Sequence, residues 1–152
     1  MLIEERLPIP SSLLRLVERG VWPRTSNDCM SQNLEPVIPD ASIRAWAPEE
    51  TRVYFYTIPK FCIQTLIDNG DSFWLNALQA PQELDFRLSA AIGDFGIGSD
   101  APIILDYRDC IDIPTVLRLR WSSGGNHWIR VADTFDAFVS MTGLDSAPER
   151  FR

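Results

Sequence analysis

The chain has 152 residues, of which 45% are hydrophobic and 23% are charged, so it can bury an ordinary core as one domain covering residues 1–152. Its formal charge is −7, from 14 basic and 21 acidic residues. Nucleic acids and anionic membrane surfaces attract basic proteins, so this composition argues against both as partners and favours a basic protein partner. The same charge also suits a protein that needs it only for solubility.

The cysteines and the N-terminal sequence bear on cellular location. Cys29, Cys62 and Cys110 are odd in number and far apart, which predicts reduced, mostly buried thiols and no disulfide framework. The first residues lack the basic and apolar regions of a signal peptide, and no segment approaches the roughly 20 apolar residues that span a bilayer. We therefore expect a cytoplasmic protein.

The first half of the chain predicts short elements, mostly helices. In chain order they are a helix opening at Pro10-Ser11-Ser12 and ending at Gly20, a short helix after Pro39, a strand over residues 51–57, a segment over residues 61–68 that is either helical or extended, and a helix from Asp71 through Leu78.

The second half predicts strands and one closing helix. The strands cover residues 88–92, residues 102–107 as a continuous apolar run buried on both faces, residues 115–121, and residues 127–131. The helix begins after Asp133 or Thr134 and ends at Gly143, and the tail after Asp145 is expected to fray. The order predicts an α+β fold, with helices on one side of a mainly antiparallel central sheet.

The segments 115–121 and 127–131 form the clearest predicted hairpin. Leu117, Leu119 and Trp121 alternate with Arg118 and Arg120, so the two groups should occupy opposite faces. We expect Trp121 to pair with Trp128 across the strands. We also expect Arg130 to share a face with Arg118 and Arg120, where the three arginines bind either an acidic partner or the chain's own carboxylates.

Motifs for catalysis, metals or cofactors are weak. The glycine loop Gly93–Gly98 lacks a P-loop lysine and leads into a strand, so it is interpreted as a turn with positive φ at one or more glycines. His127 is the only histidine and has no ligands near it at metal-site spacing. We predict no metal, no cofactor and no enzymatic activity, and keep as an alternative a small hydrolase using Cys110, His127 and an aspartate.

Aspartates are concentrated after position 93. They are Asp94, Asp100, Asp106, Asp109 and Asp112. Their spacing does not match an EF-hand loop. They can be solvated turn residues, an acidic recognition surface, or paired carboxylates for hydrolysis.

Two stretches resemble the SUKH superfamily. Residues 92–107, I-G-D-F-G-I-G-S-D-A-P-I-I-L-D-Y, resemble its glycine loop followed by an apolar strand ending in Asp-Tyr. Residues 128–138, W-I-R-V-A-D-T-F-D-A-F, resemble its closing strand and the start of its last helix. The likeness covers roughly residues 88–144 and implies an α+β domain with a central sheet and no enzyme active site.

The resemblance implies a function in protein binding. Many bacterial members are immunity proteins that bind and neutralise toxins, often nucleases, and fungal relatives act in the regulation of cell-wall synthesis and in signalling. We predict an immunity protein that binds a basic toxin domain through Asp94, Asp100, Asp106 and Asp109. The alternative is a regulatory interaction module that has the same fold and no toxin.

Overall fold

The structure, a computed structural model, describes residues 1–76, 83–95 and 101–152. The strands are β1 (Leu2–Ile3), β2 (Leu7–Pro8), β3 (Tyr54–Phe55), β4 (Ser89–Asp94), β5 (Pro102–Asp106), β6 (Thr115–Arg120) and β7 (His127–Ala132). The α-helices are α1 (Ser11–Glu18), α2 (Ser26–Ser31), α3 (Asp40–Ile43), α4 (Ile63–Asp68), α5 (Phe73–Asn76) and α6 (Phe135–Thr142), and short 3₁₀ turns cover Phe86–Leu88 and Leu144–Ser146.

The main sheet has five antiparallel strands in the order β3-β4-β5-β6-β7. This confirms the predicted α+β class with an antiparallel central sheet. All five residues of β5 are buried, as its continuous apolar run predicts for a strand covered on both faces. The β6–β7 hairpin is also confirmed, but its register places Leu119 opposite Trp128, so Trp121 is not the cross-strand partner of that ring.

Helices cover both faces of this sheet, which corrects the prediction that they pack on one side. The larger core cluster joins α1, α3 and α6 to inward residues such as Ile103, Leu105 and Val116. A second cluster joins Ile63 of α4 and Trp74 of α5 to the opposite face, at Ile104, Leu117 and Leu119. Successive side chains of a strand point to opposite faces of the sheet. A strand with apolar residues at both odd and even positions therefore needs helices packed on both faces.

The first and last helices begin and end close to where their sequences predict. In α6, the Thr134 hydroxyl accepts a hydrogen bond from Ala137 N at 3.0 Å, and Gly143 ends the helix in the left-handed region. In α1, Leu13 and Leu16 are buried, and Gly20 follows with a φ of +73°. The predicted strand over residues 51–57 is shorter, since only Tyr54 and Phe55 pair with β4.

The short strand β3 lies at one edge of the sheet and is covered by a side chain. Gln32, which is buried, accepts a hydrogen bond from Phe55 N at 2.9 Å and donates one to Phe55 O at 2.8 Å. The amide therefore satisfies the backbone groups that a further strand would otherwise pair with.

A small hairpin at the N-terminal end was not predicted. β1 and β2 are joined by a tight turn in which Glu4 and Glu5 have φ of 52° and 60°, a region that glycine or asparagine usually occupies. The Glu4 carboxylate accepts hydrogen bonds from Thr65 Oγ1 and from Cys62 N at the start of α4. Hydrogen bonds from Cys62 and Thr65 lower the pKa of Glu4, so the ionised carboxylate stabilises this turn.

The C-terminal tail packs against the domain, which differs from the predicted frayed tail. Phe151 is buried, and the N–H groups of Arg150 and Phe151 both donate to Gly20 O, at 2.9 and 2.8 Å. A Cβ atom at Gly20 would collide with the Phe151 carbonyl oxygen. The glycine that ends α1 is therefore also the residue that lets the tail approach.

Candidate functional site

The structure separates the four aspartates predicted to bind a partner. Asp94 and Asp106 end β4 and β5 and are buried, with exposures of 6% and 3%. Asp94 lies opposite Pro102 and Asp106 lies opposite Ser89, so the rise of four strand residues puts them about 13 Å apart. Asp109 is exposed, and Asp100 lies outside the described residues. The three described members therefore do not share one surface.

Asp94 binds the backbone around the end of β4. Its carboxylate accepts hydrogen bonds from Phe95 N at 2.7 Å, from Ala101 N at 3.0 Å and from the Tyr56 hydroxyl at 3.3 Å. The carboxylate thus joins the end of β4 to the backbone of Ala101, seven residues further along the chain, and to Tyr56 next to the edge strand β3. The neighbouring Gly93 was predicted to lie in a turn, but it pairs within β4 and its φ is not positive. The other two glycines of that predicted turn, Gly96 and Gly98, lie outside the described residues.

Asp106 anchors the loop that follows β5. It accepts three hydrogen bonds from the Arg108 guanidinium, two from Nε at 3.0 and 3.1 Å and one from Nη2 at 2.9 Å, and a fourth from Arg108 N at 3.1 Å. The hydrogen bond with Asp106, and the charges of Asp106, Asp109 and Asp85, raise the pKa of Arg108. The buried Tyr107 hydroxyl donates to Pro8 O at 2.8 Å, so the loop leaves the sheet from a fixed base.

Each residue of the loop itself, 108–113, is exposed. It carries two large apolar side chains, Ile111 and Ile113, at 44% and 55% exposure, close in sequence to Asp109 and Asp112. Pro114, which follows, is buried again as β6 begins. An exposed apolar segment with rigid, buried ends is typical of a binding surface.

A second group of aspartates meets this loop from the β7–α6 corner. Arg130 Nη2 lies 3.0 Å from Asp109 and its Nη1 lies 3.3 Å from Asp133. The hydrogen bonds with Asp133 and then with Asp109 raise the pKa of Arg130. Asp136, in the first turn of α6, lines the same cleft of about 250 Å³ as Asp112.

We call this surface the acidic end. It consists of residues 108–113, Arg130, Asp133 and Asp136. These segments meet because neighbouring strands are antiparallel. The last residue of β5, the first residue of β6 and the last residue of β7 therefore lie side by side, at the same end of the strands. The exposed part of the acidic end carries four aspartates and two arginines, of which Arg130 pairs with Asp109 and Asp133, and Arg108 pairs with the buried Asp106. The aspartates therefore remain in excess, and a basic partner is the complementary one.

The three arginines of the hairpin do not share a face. Arg118, buried to 2% exposure, forms an ion pair with Glu49, and Arg120 Nε lies 3.9 Å from the same carboxylate. Arg130 lies opposite Leu117 in the register and so projects from the other face of the sheet. All three arginines pair with carboxylates of this chain. This supports the prediction that they bind the chain's own carboxylates over the prediction that they bind an acidic partner.

The pair required by the hydrolase alternative is also separated. Cys110 lies in the exposed loop before β6, whereas His127 begins β7 opposite Arg120, at the far end of β6. The length of β6 alone puts about 16 Å between those ends. His127 Nδ1 instead lies 3.4 Å from Glu83 Oε1. Cys29 and Cys62 are buried free thiols, as predicted, but Cys110 is an exposed one.

Sequence reasoning missed Asp133 and Asp136 as members of a surface. Asp133-Thr134-Phe135-Asp136 carries the signal of a helix start, which accounts for both aspartates without any other role.

The described ranges show little support for a metal site or a membrane-spanning helix. They contain no group of three or more histidine, cysteine or carboxylate residues placed to hold a metal ion. None of the helices they include is both long and apolar enough to cross a bilayer. No protein-family model matches the chain, and no curated protein or solved structure shows significant similarity to it.

Proposed function

We propose that this chain is a protein-binding domain that docks on a basic partner through the acidic end, and that it serves in the cytoplasm as an immunity protein that neutralises a cognate toxin. The observation that carries the proposal is the exposed 108–113 loop. It holds Ile111 and Ile113 close to aspartates on a base fixed by Asp106 and Arg108.

The composition of this loop suits recognition in two ways. Burial of the two isoleucines on a partner would supply the apolar part of the binding free energy, about 25 cal/mol for each Å² removed from water. The surrounding aspartates would steer a positively charged partner and favour it over neutral ones. The loop leaves the sheet between buried residues, so little conformational entropy would be lost on binding.

The resemblance to the SUKH superfamily supports the toxin-neutralising role. A toxin that degrades nucleic acid needs a basic surface to hold its substrate, and an acidic protein that covers this surface blocks it. The free cysteines, including exposed Cys110, support a reducing compartment such as the cytoplasm.

The test is capture of partners by the tagged full chain from its source cells, at low and at high salt, followed by growth assays. We expect one stoichiometric partner, released by high salt, whose expression alone arrests growth and whose co-expression with this chain does not. The Ile111→Ser/Ile113→Ser variant should lose both capture and protection.

The matched control is Leu34→Ser, which alters another exposed apolar side chain, at 93% exposure, outside the acidic end. It should behave like the wild type. Unchanged protection by the double isoleucine variant would overturn the proposed surface. Capture of regulatory or wall-synthesis proteins, none of them toxic, would overturn the immunity role in favour of the regulatory module.

A further inference from the structure

A groove at the C-terminal end of α1 combines apolar walls with basic side chains. It has a volume of about 540 Å³, within the range of about 300–1,000 Å³ that is usual for small-molecule sites. Its apolar walls come from separate segments of the chain, at Leu2, Val17, Pro23 and Ile58. The acidic end lies at the other end of α1, where Ser11 and Asp112 line a different cleft. The groove is therefore a second surface, separate from the acidic end.

The lining of this groove is basic in a chain whose formal charge is −7. Arg24 and Lys60 both line it, and no acidic residue is among its described lining residues. Lys60 is exposed and forms no ion pair or hydrogen bond with any described residue. It also borders a cavity containing Asp71 and Asp94, but their carboxylates already accept hydrogen bonds from backbone N–H groups. The charge that complements the groove is therefore negative.

Arg24 is held in place with its charge only partly offset. Its Nη2 and Nε donate to Val17 O at 2.7 and 3.0 Å, and Nη2 also donates to Glu18 O at 3.1 Å. These carbonyl groups end α1 and together carry about −0.5 of charge, so about half of the guanidinium charge remains. Asp28 accepts a hydrogen bond from Arg24 N at 2.9 Å, but its carboxylate is not part of the lining. A positioned guanidinium of this kind suits a carboxylate ligand.

The apolar part of the groove suits a hydrocarbon chain. Val17 and Ile58 are only partly buried against the larger core, and Leu2 is 52% exposed. Covering them would contribute about 25 cal/mol for each Å² removed from water. An extended peptide would also need partners for its own N–H and C=O groups, and Leu2 is the only described lining residue that lies in a strand. A hydrocarbon chain has no such groups to satisfy.

We propose that this groove binds a small aliphatic carboxylate of the fatty-acid type. The carboxylate lies at Arg24 and Lys60, and the hydrocarbon chain lies along Leu2, Val17 and Ile58. The inference goes beyond the proposed function, because it requires neither the acidic end nor a toxin. It gives the domain a second ligand, whose charge is opposite to that of the basic partner.

The test is titration of sodium octanoate into the ¹⁵N-labelled full chain, followed by amide NMR. We expect saturable shifts confined to the amides around Leu2, Val17, Ser26 and Ile58. Lys60→Gln should weaken the fitted affinity about fivefold, a loss of about 1 kcal/mol, because one exposed charge is removed. Leu2→Ser should weaken it about threefold or more, because the hydrocarbon chain then covers less apolar surface.

Further ligands separate the role of the charge from that of the hydrocarbon chain. Acetate lacks the chain and octylammonium carries the opposite charge, so neither should cause saturable shifts at these amides. Octanamide keeps the chain and lacks the charge, so it should bind about fivefold more weakly than octanoate. Equal affinity for octanoate and octanamide would overturn the carboxylate contact. Saturable shifts with N-acetyl-glutamyl-leucine amide and none with octanoate would overturn the proposal in favour of an acidic peptide segment.

The matched controls are Arg44→Gln and Leu34→Ser. They alter an exposed basic and an exposed apolar side chain that lie outside the lining of the groove. Each should leave the octanoate affinity unchanged, and an unaltered spectrum away from the groove shows that each variant is folded. Wild-type affinity in both Lys60→Gln and Leu2→Ser would overturn the site, as would an equal loss of affinity in the two controls.

Discussion

Four aspartates within 19 residues of the sequence differ in burial, two being buried and two exposed. Asp94 and Asp106 are buried at the ends of strands, where they accept hydrogen bonds from backbone N–H groups. Asp109 and Asp112 lie in the following loop and face solvent. The same side chain thus stabilises the fold in one pair and is available for binding in the other, and burial decides between the two.

The largest expected effect on stability comes from Asp94. Asp94→Ala removes the acceptor of two buried N–H groups, those of Phe95 and Ala101, and should lower the free energy of unfolding by about 3 kcal/mol. Asp94→Asn keeps one oxygen and should lose roughly half as much. Urea denaturation of the three proteins measures both values, and a wild-type midpoint for Asp94→Ala would contradict the structural role.

A smaller, pH-dependent effect is expected at two neighbouring glutamates. Burial raises the pKa of Glu49, but hydrogen bonding to Arg118 and the charges of Arg118 and Arg120 outweigh it, so the pKa lies below 4.5. Burial, followed by the charge of Glu49, raises the pKa of Glu50 above 4.5. The Glu49 carboxylate therefore stabilises the fold above about pH 4.5, and that contribution is lost as pH falls through its folded-state pKa.

The sign is opposite for Glu50, whose ionised form is disfavoured in the folded state. At neutral pH we expect Glu49→Gln to unfold at lower urea than the wild type and Glu50→Gln to unfold at equal or higher urea. Both differences should shrink as the pH falls through the folded-state pKa of each carboxyl, because the protonated wild-type side chain then resembles the glutamine of the variant. Equal loss in both variants at neutral pH would contradict the assignment.

The smallest effect on stability is expected in the exposed pair. Asp109→Asn/Asp112→Asn removes only solvent-exposed charges, so the urea midpoint should stay close to that of the wild type. Association with the basic partner should slow by roughly tenfold and become less sensitive to salt, since the steering charges are gone. A large loss of stability would place these residues with Asp94 and Asp106 and remove the contrast.

Local pattern predicted most elements of the fold. The alternation of Leu117 and Leu119 with Arg118 identified β6, and the 3.6-residue spacing of Phe135, Phe138 and Val139 identified α6. The register of the hairpin was harder to predict, because the sequence of the loop from Ser122 to Asn126 does not show which residue of β6 lies opposite Trp128. The β1–β2 turn was missed because Glu4 and Glu5 adopt a conformation against their own preference.

The candidate site was only partly predictable for a different reason. The sequence indicated an acidic region after Asp94, and Asp109 was among the residues named in it. The segment 102–107, predicted to be buried on both faces, already contained Asp106 and not Asp109, but the prediction still placed both in one binding surface. The contribution of Asp133 and Asp136 depends on a return strand that begins only at His127.

The sequence by itself therefore determined the types and order of most elements from α3 onward, the antiparallel hairpin and the acidic character of the chain, because these follow from short-range periodicity and composition. Only the tertiary structure decided that helices cover both faces of the sheet, that Arg118 and Arg130 point apart, and that Asp112 and Asp136 line one cleft. These features arise where segments far apart in the chain pack together, and burial sets the chemistry of each side chain only after that packing.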